Sequence, residues 1–114
     1  MEDLKDRTRN YALRIIKLYG ALPARGAGQI LANQIVRSGT SVGAHYREAI
    51  RGRSPAEYAA KMNAGLMELE ETLYWLELLE HSRIVRPQKL TSLKDESGQL
   101  TAILVSLIKK AKRG

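Results

Sequence analysis

The run Arg37–Ala49, RSGTSVGAHYREA, contains GTSVG at Gly39–Gly43, a G-x-S-x-G pattern with Ser41 where a hydrolase nucleophile would stand and His45 four residues on. A nucleophile elbow needs a strand that delivers the serine to a sharp turn, leaving its oxygen exposed beside an oxyanion hole. The residues around this motif keep a different period. Leu31, Ile35, Ser38, Val42, His45 or Tyr46, and Ala49 fall at helical spacings straight through it until Gly52. The triad order of that fold also needs an acid and then a histidine downstream, and His81 is the only one far along the chain. On a helix, Gly39 and Gly43 share one face, and each costs ~1 kcal/mol relative to alanine in a helix interior. A close neighbouring helix would offset that cost. Gly39, Ser41 and Gly43, with Ser38 and Ala44, are therefore assigned to a helix-packing seam, with no catalytic residue among them.

Helical spacing extends over the rest of the chain. From Asp3 to Leu22, the residues Leu4, Tyr11, Ile15, Leu18 and Leu22 form one stripe, widened by Ala12 and Tyr19. The stretch LPARGAGQ, with Pro23 and two glycines, reads as the turn that follows. Ser54, Pro55 and Glu57 have the form of a capping box, a start signal for a helix from Pro55 to about His81. That helix carries Met62, Leu66, Leu69, Leu73, Leu76 and Leu79. After the connector SRIVRPQK, Leu90, Leu93, Leu100, Leu104 and Leu107 recur at near-heptad spacing, with Ile103 and Ile108 beside them, before the basic tail KKAKRG. No run alternates like a strand. The expected fold is all-α, an antiparallel up-and-down four-helix bundle, formed as one domain over residues 1–114.

Composition narrows the function classes. Cysteine is absent, which excludes disulfides and thiolate metal sites and fits a reducing cytoplasm. The start MEDLKDRTRN lacks the apolar core of a signal peptide, and no apolar run approaches the ~18 residues needed to span a bilayer. His45 and His81 have no metal-binding partner at the spacing of H-E-x-x-H, so neither a metal nor a cofactor is expected. Trp75 and Tyr74 sit among leucines at helical spacing and read as core or subunit-interface packing.

The net charge of +7 points to a polyanionic partner, because a basic surface gathers phosphates and gains from counterion release. The charge is also segregated. Glu57, Glu68, Glu70, Glu71, Glu77 and Glu80 share the third helix with a single Lys61. Basic residues gather as Arg7, Arg14 and Lys17 on the first helix, as Arg37, Arg47, Arg51 and Arg53 along and after the second, and as Lys109, Lys110, Lys112 and Arg113 at the end. The last two groups are the candidate nucleic-acid-binding residues. The glutamates either pair inside the bundle or meet a basic helix of a second subunit.

RSGTSVGAHYREA, the following RGRSPAEYAAK and ETLYWLELLEHSRIV together resemble the four helix bundle protein family related to 23S ribosomal RNA intervening sequence proteins. The matching positions are Arg37, Ser38, Gly39, Ser41, Gly43, Ala44, Arg47, Glu48, Arg53, Ser54, Glu71, Trp75, Leu76 and Glu77. The family also looks similar to the accessory variability protein of diversity-generating retroelements, a basic pentameric bundle that engages a reverse transcriptase and nucleic acid. The resemblance implies a homopentamer of antiparallel bundles without enzymatic activity or cofactor. His45 departs from it, standing where relatives usually have asparagine. The expected function is binding of RNA or DNA, RNA favoured, through phosphates. The alternative is a protein-interaction adaptor that docks an acidic protein partner.

Overall fold

The computed structural model describes residues 3–114, and within them the chain forms four α-helices and no strand. Asp3 starts α1 (Leu4–Ala21) by accepting a hydrogen bond from the Lys5 N–H at 3.1 Å, and the extended Leu22 before Pro23 ends it. α2 (Gly26–Ala49) runs unbroken through GTSVG. α3 (Pro55–His81) begins as the sequence predicts: the Ser54 side chain accepts from the Glu57 N–H at 3.1 Å, with Pro55 at the first helical position. The Glu57 side chain makes no return bond to the Ser54 N–H, so only the serine half of the box forms. α4 (Thr91–Arg113) has no side-chain cap at its start. A short 3-10 turn over Pro87–Lys89 leads into it, and the wholly buried Leu90 pins that junction to the core.

One boundary differs from the sequence reading. GAGQ belongs to α2, not to the preceding turn. Gly28 is the reason a helix can begin so early, because a Cβ there would lie 2.9 Å from the Pro23 ring, which packs where a side chain would have been. Gly28, which looks like a loop residue, thus seats the α1–α2 corner, while Gly26 begins the helix in a left-handed conformation, φ 69°.

The helices alternate in direction around a body of 45 × 21 × 21 Å. α2 lies against α1 through Gly39 and Gly43, and against α3 through Gly65 and Ser38. α4 closes the bundle, meeting α3 at Lys94–Glu80 and α1 at Arg7–Glu96. Consequently α1 and α3 occupy opposite corners. The core stacks Tyr11 and Ile15 with Ile35, Val42, Met62, Leu69, Leu76, Leu100 and Leu104, and each fully buried aliphatic side chain contributes ~1.5–3 kcal/mol. Leu66 and Leu107 from the expected stripes are half-buried at its margin, and Tyr19 is exposed. No helix is long and apolar enough to cross a membrane among the described residues.

Two hydroxyl pairs cross the core, both unforeseen from apolar periodicity. Ser97 Oγ donates to the Leu93 carbonyl at 2.8 Å, so in its 2.6 Å contact with Tyr11 the phenol must be the donor. Thr72 Oγ1 likewise donates to the Glu68 carbonyl, which leaves Ser38 to donate to Thr72 at 2.7 Å. Burial pushes the Tyr11 phenol up to about 12. The two pairs tie α1 to α4 and α2 to α3.

Candidate nucleic-acid interface

The GTSVG segment has no nucleophile geometry. Ser41 lies on a continuous helix, and its Oγ donates to the Arg37 carbonyl one turn back at 2.6 Å. His45 is bonded elsewhere, with Nδ1 2.7 Å from Glu48 and Nε2 3.8 Å from Glu68. Those contacts tie it to its own helix and to α3. Glu48 is held below the usual carboxylate range, first by the His45 hydrogen bond and then by Lys61. Among the described residues no group of three His, Cys, Asp or Glu side chains gathers as a metal site would require.

Gly39 and Gly43 open the α1–α2 contact. A Cβ on Gly39 would stand 2.8 Å from Ile15 Cγ1, and one on Gly43 would stand 3.1 Å from Thr8 Oγ1. Ser41, two residues from each, points roughly half a turn away from that contact, toward the Arg37 and His45 edge. The seam with α1 therefore belongs to the glycines alone.

The basic residues separate into engaged and unengaged groups. Arg37 reaches across to α3, 3.3 Å from Glu68 and bonded also to Glu71 and Gln34. It is a cross-helix clamp some three turns from Arg47. Arg7 grips Glu96 in a bidentate pair at 2.8 Å and adds Gln99, while Arg14 donates to Ser92 at 2.8 Å. Hydrogen bonding by Arg7 is the main cause holding the Glu96 carboxyl below its usual range. Two of the three cations read as a face of α1 thus fasten α1 to α4.

Arg47, Arg51, Arg53, Lys109, Lys110, Lys112 and Arg113 behave differently. All are exposed, and none forms an ion pair among the described residues. The antiparallel topology brings them to one end of the bundle. The last turn of α2 adjoins the start of α1, where Lys5, Arg47 and Arg51 line one shallow concavity together with Glu48 and Ile50. The last turn of α4 adjoins the start of α3, where Lys112 and Gly114 face Pro55, Ala56 and Ala59. Lys5 is an addition from the structure, since its place beside Arg47 depends on which helix ends meet. Two helix C-termini lie here, and their partial negative charge favours the cations but does not neutralise them.

The opposite end carries a smaller basic group that sequence reasoning did not single out. Arg25 follows α1, and Arg83, Arg86 and Lys89 lie in the α3–α4 connector, all exposed. Arg86 and Lys89 border a concavity with Leu22, Pro23, Ile84 and Val85. Arg83 takes a left-handed conformation, φ 64°, at the point where the chain leaves α3. The connector SRIVRPQK showed those cations in sequence, but only the fold brings Arg25 to the same end.

These features define a basic, antiparallel four-helix bundle with its unpaired cations at the helix ends. The chain belongs to the 23S rRNA-intervening sequence protein family, whose profile matches residues 3–106. It is similar to a crystal structure from Bacteroides thetaiotaomicron described as a protein with unknown function from the S23 ribosomal protein family. The two are 37% identical over 94% of this chain and 99% of that one, with a TM-score of 0.88. None of the curated proteins matches the chain. Neither description names an enzymatic activity.

Proposed function

We propose that the protein is a non-enzymatic, cytoplasmic bundle that associates with copies of itself and binds RNA through phosphate contacts. The observation that carries this reading is the gathering of Arg47, Arg51, Arg53, Lys109, Lys110, Lys112 and Arg113 around one end, exposed and without carboxylate partners among the described residues. Such an end draws a phosphate backbone and gains from released counterions. Tyr46 and Tyr58, on the helix ends that meet there, are half-buried against the core, so base stacking adds little and the contact positions without reading sequence. The family description favours RNA over DNA. Association into a ring, a pentamer by resemblance, would repeat the basic end and multiply a weak contact by avidity.

The test is binding of a structured RNA measured across a salt series. Affinity should fall linearly on a log–log plot, and changing Arg47, Arg51 and Arg53 together to glutamine should flatten the slope by up to ~3, on the order of 0.7–0.9 for each phosphate no longer neutralised. Absent or salt-independent binding would sink the proposal. A pull-down repeated after nuclease treatment addresses the adaptor alternative, because a direct complex with an acidic protein would persist where an RNA-bridged one disappears.

A further inference from the structure

Beyond Glu57 in its first turn, the acidic helix carries two sets of glutamates. Glu68 and Glu71 hold Arg37, and Glu80 holds Lys94, all within the bundle. Glu70 and Glu77 are exposed and form no ion pair among the described residues. They belong to an outward stripe of α3 in which Asn63, Met67, Glu70, Tyr74, Glu77 and His81 follow one another at alternating four- and three-residue steps, every one exposed. That period is the seam of a helix that packs against another helix. Met67 is 62% and Tyr74 53% exposed, a large apolar area for a surface stripe whose contacts, the Tyr74 ring with Trp75 and Asn63 with Met67, stay within its own helix.

α1 carries a stripe of the same period and opposite charge at the opposite corner of the bundle. Arg9, Leu13, Ile16 and Gly20 follow at four, three and four residues, with Lys17 beside them, and Leu13 is 55% and Ile16 49% exposed. The patterns interlock. On α1 an apolar pair lies between Arg9 and Lys17, cations about 12 Å apart along the axis; on α3 Tyr74 lies between Glu70 and Glu77, anions about 10 Å apart. Arg9 has only an exposed 3.4 Å contact with Asp6 of its own helix.

We infer that the outer seam of α1 in one copy docks along the outer seam of α3 in a second copy, seating Leu13 and Ile16 against Met67 and Tyr74 with Arg9 and Lys17 facing Glu70 and Glu77. A polyanion is a poor occupant of α3, since Glu70, Glu71 and Glu77 surround Tyr74 and repel phosphate. The chain itself supplies a stripe of matching period, apolar content and charge. The contact is heterologous: each copy offers one α1 seam and one α3 seam at opposite corners, so the interaction repeats from copy to copy and closes into a ring where the rotation permits. It rests on the self-association proposed above and names the surfaces that form it.

The test is the solution mass of the full chain by light scattering, with helicity followed by circular dichroism. The wild-type mass should be a multiple of 12.7 kDa. Glu70→Lys with Glu77→Lys, and separately Arg9→Glu with Lys17→Glu, should each drop it to the 12.7 kDa monomer at unchanged helicity. All four changes in one chain should restore the multimer, an outcome that a merely destabilised variant would not give. A wild type already at 12.7 kDa overturns both this surface and the self-association it rests on. A multimer indifferent to both reversals overturns the surface alone, as does a four-fold variant that stays monomeric.

Discussion

At the scale of single residues, the buried phenol of Tyr11 gives the sharpest consequence. Its hydroxyl donates to Ser97, and burial raises it to about 12 from an ordinary 10.0. A folded-state value above the unfolded one means that the contribution to stability is fully present below pH ~10 and is lost as pH rises toward ~12, because the unfolded chain releases its proton first. The size of that loss is about 2–3 kcal/mol. Tyr11→Phe should cost about 1 kcal/mol near neutrality, where one buried hydrogen bond disappears while Ser97 keeps its bond to Leu93. Denaturant unfolding of the two proteins should then converge above pH 10 and cross before pH 12. Parallel curves across that range would mean that Tyr11 is not the group titrating. Ser41→Ala is the complementary case: its hydroxyl bonds only its own helix, and stability should change by less than about 0.5 kcal/mol with RNA binding unaffected.

At the scale of elements, the glycines separate two physical effects that sequence alone merges. Gly39 and Gly98 both lie inside α-helices, so alanine gains helix propensity at either, about 1 kcal/mol. At Gly98 a Cβ meets nothing within 4 Å, whereas at Gly39 it would fall 2.8 Å from Ile15. Gly98→Ala should therefore raise the melting temperature by about 4 °C, and Gly39→Ala should lower it, because overpacking costs ~1–3 kcal/mol. In an Ile15→Ala background the Gly39→Ala change should reverse sign and become stabilising, a coupling readable in a double-mutant cycle. Additive effects would separate the two positions and move the α1–α2 contact elsewhere. Helix boundaries were legible in the sequence wherever a side chain enforces them, as at Asp3 and Ser54. The early start of α2 was not, because the letters GAGQ are the same whether glycine makes a turn or receives the Pro23 ring. Nor was the burial of Thr8, Thr72 and Ser97, since each returns its hydroxyl to a carbonyl one turn back and so tolerates the core.

At the scale of the whole molecule, the candidate site is a product of topology. Residues 47–53 and 109–113 are far apart in sequence and meet only because α2 and α4 both end where α1 and α3 begin. Their composition was readable; Lys5 and the Arg25, Arg83, Arg86 and Lys89 group were not, because membership depends on which ends adjoin. The bundle is 45 Å long, several Debye lengths at physiological salt, so its two basic ends act as separate electrostatic sites. That separation allows a test of where RNA sits. Changing Lys109, Lys110, Lys112 and Arg113 to glutamine should flatten the salt dependence of binding by up to ~3–4 in slope, while changing Arg25, Arg83, Arg86 and Lys89 in the same way should alter it by less than ~1. The denser end carries more unpaired cations, and its terminal four lie on or at the end of α4, whereas three of the four residues of the sparser set lie in the α3–α4 connector. Equal effects at the two ends would instead require RNA laid along the long axis, over the flank of α1 where Arg9 and Lys17 are exposed rather than over α3, where Glu70 and Glu77 repel it. The α1 flank is the one a second copy would cover in the docking inferred above, so binding that follows both ends equally would also count against a contact through Arg9 and Lys17.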